Sequence, residues 1–247
     1  MDANAQRICL DHAATTALDP QVLEAMLPIL RGACGNPSSA HRLGRDALAQ
    51  VQAARSTVAD ILGAKPSEIL FTSGGTESDN LALRGVVLSP TSPGRRLVTL
   101  PIEHHAVTHT CDDLTRNYGC QATYVPVDRF GMVNPDAIGR AITPETGLIS
   151  VMYGNNEVGT IEPIQEIGKI ARLHGVPFHT DAVQAAGTLP LNVNQLGVDL
   201  LSLSGHKFYG PMGTGGMYMA EHVDLMPCRS GETGVKSALK SQPLDYP

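Results

Sequence analysis

Residues 201–211 read LSLSGHKFYGP, an apolar run that stops at a Ser-Gly-His-Lys turn and so sets Lys207 where a strand ends. A lysine near a turn is ordinarily a solvated surface charge. Here other apolar runs end in polar residues as well. Ser73-Gly74-Gly75-Thr76 precedes a helical Leu81-Ala82-Leu83, while His104, Asn156, and Asp181 with Gln184 each follow a strand-like segment. Two glycines ahead of a helix let backbone N–H groups approach an anion closely, and the helix dipole favours negative charge there. The purely local alternative is a turn capped by Thr76 or Ser78.

In an open α/β sheet, ligands bind beyond the carboxyl ends of the strands, so these residues are expected to share one rim. An amine, an anion loop, a carboxylate, an imidazole and amides are what pyridoxal phosphate needs: a Schiff-base partner, a phosphate cradle, an acid for the pyridine nitrogen and a flat surface. Lys207 supplies the amine, which burial or a neighbouring cation would keep nucleophilic. Gly75, Thr76, Ser204 and His206 supply donors for the phosphate, each charge-assisted bond contributing roughly 1.5–3 kcal/mol. Asp181 pairs with the ring nitrogen; at ~4 Å and an effective dielectric of ~20 the attraction is about 4 kcal/mol, some three pK units. The nitrogen then stays protonated near neutral pH.

The elements that would hold these groups are legible in the pattern. Seven β-rich runs, 68–72, 96–100, 122–127, 148–153, 176–180, 199–202 and 215–219, are mostly separated by helical stretches, which predicts an α/β domain with a largely parallel sheet. Asp19 and Pro20 open a helix carrying Val22, Leu23, Met26, Leu27 and Leu30 at helical spacing. Residues 42–62 form an Ala-rich helix closed by Gly63. A further helix, 163–174, stops at Gly175 and carries Ile164, Ile167, Ile170, Ala171 and Leu173 on or near its apolar face. It is placed to connect two parallel strands.

Composition narrows the functions available. A chain of 247 residues that is 42% hydrophobic can bury a sizeable core. Eighteen basic against 24 acidic residues give a formal charge of -6, with no basic run, so nucleic acid is not an expected partner. No stretch approaches the ~20 apolar residues that span a bilayer, and MDANAQRICL is unlike a signal peptide, so no membrane association and a cytoplasmic location are expected. Five scattered cysteines without a C-x-x-C pair read as reduced thiols. His104, His105, His109 and Cys111 are the densest possible metal ligands, but they lack H-E-x-x-H spacing and a second cluster, so no metal is expected. GETGVKS at 231–237 resembles a phosphate-binding loop, yet it separates the last glycine from the lysine.

Seven segments in order, LDHAATT (10–16), GNPSSAH (35–41), FTSGGTESDNLAL (71–83), EHHAV (103–107), NNEVGT (155–160), HTDAVQAAG (179–187) and SGHKFYGPMGTG (204–215), resemble the cysteine desulfurases of the class V aminotransferase family. The resemblance implies the large domain of the fold-type I pyridoxal-phosphate enzymes, with a mainly parallel seven-stranded sheet between helices. It implies Lys207 as the Schiff-base lysine and proton shuttle, with His104 stacked on the ring and Asp181 at the pyridine nitrogen. Gln184 falls near the ring hydroxyl, Asn156 near the substrate, and Gly75, Thr76, Ser204 and His206 at the phosphate. The implied reaction converts L-cysteine to L-alanine, with sulfur passing to an enzyme cysteine as a persulfide and then to an acceptor protein, in a homodimer. A lyase acting on selenocysteine, or a non-catalytic cofactor- or partner-binding chain, would share these motifs.

The division expected is an N-terminal segment (1–15), a cofactor-binding large domain (16–219) and a divergent tail (220–247). The family's small domain, its carboxylate-binding arginine and its nucleophilic cysteine find no counterpart. Cys228 reads as a bystander, and Arg229-Ser230-Gly231 only faintly echoes a family segment. A large domain alone is expected to expose apolar surface and to self-associate.

Overall fold

All seven β-rich runs join one sheet in a computed structural model that describes residues 8–32 and 34–226. The strands are β1 (Ile69–Thr72), β2 (Arg96–Thr99), β3 (Gln121–Tyr124), β4 (Thr146–Ser150), β5 (Phe178–Asp181), β6 (Leu200–Ser204) and β7 (Gly215–Met219). Their spatial order is β1-β7-β6-β5-β4-β2-β3. Only β7 runs against its neighbours, pairing antiparallel with β1 and β6, while the other pairs are parallel. β5 and β6 extend further than their apolar runs suggest. Asp181 and Ser204 therefore end strands rather than follow them, with Asp181 opposite Ser202 and Ser204 opposite Gly215.

Seven helices accompany the sheet among the described residues: α1 (Pro20–Gly32), α2 (Arg42–Leu62), α3 (Gly75–Val87), α4 (His105–Tyr118), α5 (Pro135–Ala141), α6 (Ile164–His174) and α7 (Val193–Leu196). Asp19 Oδ1 accepts from the Gln21 N–H at 2.7 Å, which fixes the start of α1. Gly63 and Gly175 end α2 and α6 in the left-handed conformation, at φ 67° and 65°. The α6 helix links the parallel neighbours β4 and β5 and buries Ile164, Ile167 and Ala171. Leu173 is 85% exposed, because it falls on the solvent side of the last turn.

Leu83, Leu97, Leu148, Phe178 and Leu200 are wholly buried, each worth roughly 1.5–3 kcal/mol of hydrophobic stabilisation. Val223 and Leu225 are buried with them, and the Met226 N–H donates to Gly85 O at 2.7 Å, so packing continues past β7. No helix among the described residues is long and apolar enough to cross a membrane. Cys228, Arg229-Ser230-Gly231 and the GETGVKS run lie outside the described residues.

Candidate functional site

The parallel strands bring their carboxyl ends to one side, and a cavity of about 410 Å³ opens there. Gly75, Thr76, His104, Asn156, Asp181, Gln184, Ser204, His206 and Lys207 all line it. They arrive from five separate strand ends, those of β1, β2, β4, β5 and β6, so the sheet order is what assembles them.

The loop after β1 turns at Gly74, whose φ of 151° is open to glycine alone. Gly74 is thus the N-cap of α3, in place of Thr76 or Ser78. The Ser78 hydroxyl instead sits 2.8 Å from Thr72 Oγ1 and 3.1 Å from Gly74 O, tying the helix to the strand. A side chain on Gly75 would come within 2.6 Å of Val183 Cγ2, so the backbone lies close against the turn that follows β5. Glu77, the acid of the first turn, binds the Ser73 N–H and hydroxyl at 2.7 Å each.

Asp181 ends β5 almost fully buried, with one carboxylate oxygen accepting from the Val183 N–H at 2.9 Å. Burial pushes its carboxyl up, and the Val183 N–H, His104 and Lys207 pull it back. His104 caps α4: its Nδ1 accepts from the Ala106 N–H at 3.0 Å, so in the neutral ring the proton sits on Nε2. Asn156 stands in a turn that Asn155 organises. Asn155 Oδ1 accepts from the Glu157 and Val158 N–H groups, and its Nδ2 donates to Ile102 O.

Lys207 closes a short 3₁₀ turn after β6 and is half-buried. Its Nζ donates to Ala13 O and, at 2.9 Å, to Ala14 O. Gln184 Nε2 donates to the same Ala13 carbonyl at 2.8 Å. Burial lowers the Lys207 ammonium from its ordinary value, while Asp181 and Asp11 favour its charged form. His206 is lowered as well, by burial and then by Lys207.

The 11–16 strap over Lys207 was not foreseen as part of the site. Asp11, Ala13 and Ala14 line the cavity. Thr16 anchors the strap: its N–H and hydroxyl both donate to His206 O, at 2.8 and 2.9 Å, and its Oγ1 accepts from the Tyr209 N–H at 2.7 Å. Tyr209 holds φ 67°, a costly conformation for an aromatic residue that these bonds and an Asp19 N–H to Tyr209 O bond maintain.

The family profile "Aminotransferase class-V" matches residues 8–239. The chain belongs to the class-V aminotransferase family. Cysteine desulfurase IscS of Dictyoglomus turgidum is 49% identical over 226 residues, covering 92% of this chain and 57% of that protein. Putative cysteine desulfurase IscS 1 of Bacillus subtilis is 50% identical over 226 residues, covering 92% and 59%. Among solved structures, a NifS-like protein superposes with a TM-score of 0.88 at 40% identity, covering 92% of this chain and 63% of that one. SspA in complex with cysteine superposes with a TM-score of 0.85 at 41% identity, covering 90% and 64%. This class-V aminotransferase chain thus spans less than two thirds of the length of these relatives.

Asp79, Met152 and Val183 also line the cavity of this class-V aminotransferase chain. Among the described residues no group of three His, Cys, Asp or Glu side chains is arranged to hold a metal ion. Cys111 of the histidine-rich segment is wholly buried, and burial pushes its thiol up to about 12.

Proposed function

We propose that this chain is the pyridoxal-phosphate-binding portion of a cysteine desulfurase, acting on L-cysteine to give L-alanine. One observation supports the reading most: residues chosen for a lysine-bound, phosphate-bearing aromatic cofactor, from five strand ends, line one cavity. About 410 Å³ is within the usual size range of a cofactor site.

The donor set fits the cofactor. Gly75 and Thr76 begin α3, whose first N–H groups have no helical partners; Ser204 lies beside Gly75, and His206 lines the same cavity. The four would hold the phosphate. Asp181 would hold a proton on the ring nitrogen, His104 would cover a ring face, Gln184 would meet the ring hydroxyl, and Asn156 would contact substrate. When bound, pyridoxal phosphate supplies an electron sink for the substrate α-carbon. Lys207 would hold its aldehyde carbon through Nζ, and the same amine, when free, would carry a proton to and from the substrate α-carbon. Burial of Lys207 serves both roles, since each needs the neutral amine.

A cysteine thiolate would attack the substrate sulfur, forming the S–S bond of a persulfide; the carbon–sulfur bonding pair would stay with the β-carbon, which would gain a proton so that alanine leaves. Cys9, Cys34, Cys111 and Cys120 do not line the cavity, so the reading takes the acceptor thiol from elsewhere in a full-length relative or a partner. Buried free thiols at Cys111 and Cys120 support a reducing, cytoplasmic setting. Leu23 and Leu30, exposed on α1, support a homodimer, and a sulfur-acceptor protein completes the scheme.

The test is the absorbance of the purified chain after adding pyridoxal phosphate, before and after cysteine. A band lost in Lys207→Ala and moved by cysteine is expected. Absence of a Lys207-dependent band would overturn the cofactor assignment; a band indifferent to cysteine would overturn the substrate.

A further inference from the structure

Asp79 carries an inference beyond this reading, though its functional half rests on it. Asp79 is the fifth residue of α3 and lines the cavity, yet it is wholly buried and neither carboxyl oxygen has a well-formed hydrogen bond. His179 Nε2 lies 3.6 Å from its Oδ1. That imidazole is already engaged. Ser150 Oγ sits 2.9 Å from Nδ1 and Ser202 Oγ 2.9 Å from Nε2, so two hydroxyls satisfy the ring. The ring is also fully buried, which drives it down to about 3 and leaves it uncharged. Among the described residues, Asp79 therefore has no cation paired with it.

Asp181, at the end of β5, is the opposite case. It accepts from the Val183 N–H and feels His104 and Lys207, both of which favour its ionised form. Two buried carboxyls at one pocket floor repel when both are charged, so one proton stays with the pair. Hydrogen bonding decides which group keeps it: the carboxyl with the poorer donors gives it up least readily, and that is Asp79.

We propose that Asp79 is a positioning carboxyl that keeps its proton in the folded chain, so that Asp181 is the negative charge the pocket floor presents to a cationic ring. Burial, and then the Asp181 charge, push the Asp79 carboxyl well up, with the Ser202 hydroxyl giving only partial relief. The surrounding groups agree. From the segment before α4 come Glu103, itself pushed well up by burial, and His104. His206 and Lys207 follow β6 across the cavity. Glu77 on α3 is bound to Ser73, and the Arg84–Asp113 pair between α3 and α4 is closed at 2.8 Å. Strands β1, β4, β6 and β7 carry no charged residue.

The sign of the stability effect follows. Asp79 ionises near pH 4 in the unfolded chain and holds its proton to higher pH when folded, so its contribution is complete below about pH 4 and is lost as pH rises. Asp79→Asn removes that loss. The folding equilibrium constant of Asp79→Asn relative to wild type should climb about tenfold per pH unit above ~pH 4, until Asp79 itself ionises. In an Asp181→Asn background the climb should end at lower pH, because the charge that holds the proton on Asp79 is gone.

The experiment is urea unfolding of the full 247-residue chain from pH 4 to 8 for wild type, Asp79→Asn, Asp181→Asn and the double variant, without cofactor. If Asp79→Asn does not fold, Asp79→Leu, which asks for no hydrogen bond, carries the same comparison. A pH-independent ratio would overturn the proposal, as would an unchanged window in the Asp181→Asn background. With pyridoxal phosphate added, Asp79→Asn should retain it within about threefold of wild type, whereas Asp181→Asn should lose about a hundredfold or more. Equal losses would mean that Asp79 is charged. The unfolding arm uses no cofactor, so its failure overturns the role of Asp79, while a missing wild-type absorbance band overturns only the cofactor assignment.

Discussion

The floor and the roof of the cavity are built by different means. The floor is sheet: Phe178, Leu148 and Leu200 are wholly buried, and each site residue there stands at or just beyond a strand end that its neighbours fix. The roof is one strap, residues 11–16, and the helix that follows it, α1, buries no residue at all among those described. The geometry of the cavity is thus imposed from below by packing and from above by a handful of hydrogen bonds through Thr16. A site so made holds its polar groups in place while its cover can yield.

The contrast can be broken most forcefully at the floor. Phe178→Ala should cost about 3–5 kcal/mol in urea unfolding, since a wholly buried ring between β4 and β6 leaves a cavity that the sheet cannot close. A cost below about 1 kcal/mol would mean that the floor is plastic. Gly74→Ala comes next. Its φ of 151° excludes a side chain, so about 1–3 kcal/mol should be lost, and with it the turn that leads into α3. Retention of pyridoxal phosphate at wild-type strength would count against the cradle.

Thr16→Val tests the roof. It deletes the hydroxyl that donates to His206 O and accepts from the Tyr209 N–H, leaving that N–H without its partner at a cost of roughly 1–3 kcal/mol. Hydrogen exchange should quicken across residues 11–16 and 206–209, with strands β4 and β5 unaffected. Faster exchange in the strands would show that roof and floor are one unit.

Most of the floor was legible in the sequence, and the roof was not. Period and apolar content located all seven strands, because a strand buried in a mainly parallel sheet is apolar nearly throughout. The ends of β5 and β6 were underestimated for the same reason: Asp181 and Ser204 are polar residues that ladder bonds hold in the strand. Asp79 had a signal. It falls with Ala82, Leu83 and Val86 on the buried face of α3, an ionisable residue at an apolar helical position. The strap showed only as the segment LDHAATT, and its part in the site did not, since Thr16 meets His206 across 190 residues and no local pattern encodes that contact.

The helix α1 sets the smallest expected effect and the sharpest limit on the comparison. Its apolar spacing is that of a helix meant to be covered, yet Leu30 is 68% exposed and Leu23 41%. Spacing reports that a face is apolar, while only contacts report what lies against it. Leu30→Ala should therefore change the unfolding free energy of the isolated chain by no more than about 0.5 kcal/mol. If the loss instead reaches the roughly 2–5 kcal/mol of a core leucine, α1 is buried in solution, and sedimentation at rising concentration will say whether a second copy buries it. The roof would then be a shared structure, and its weakness a property of the single chain alone.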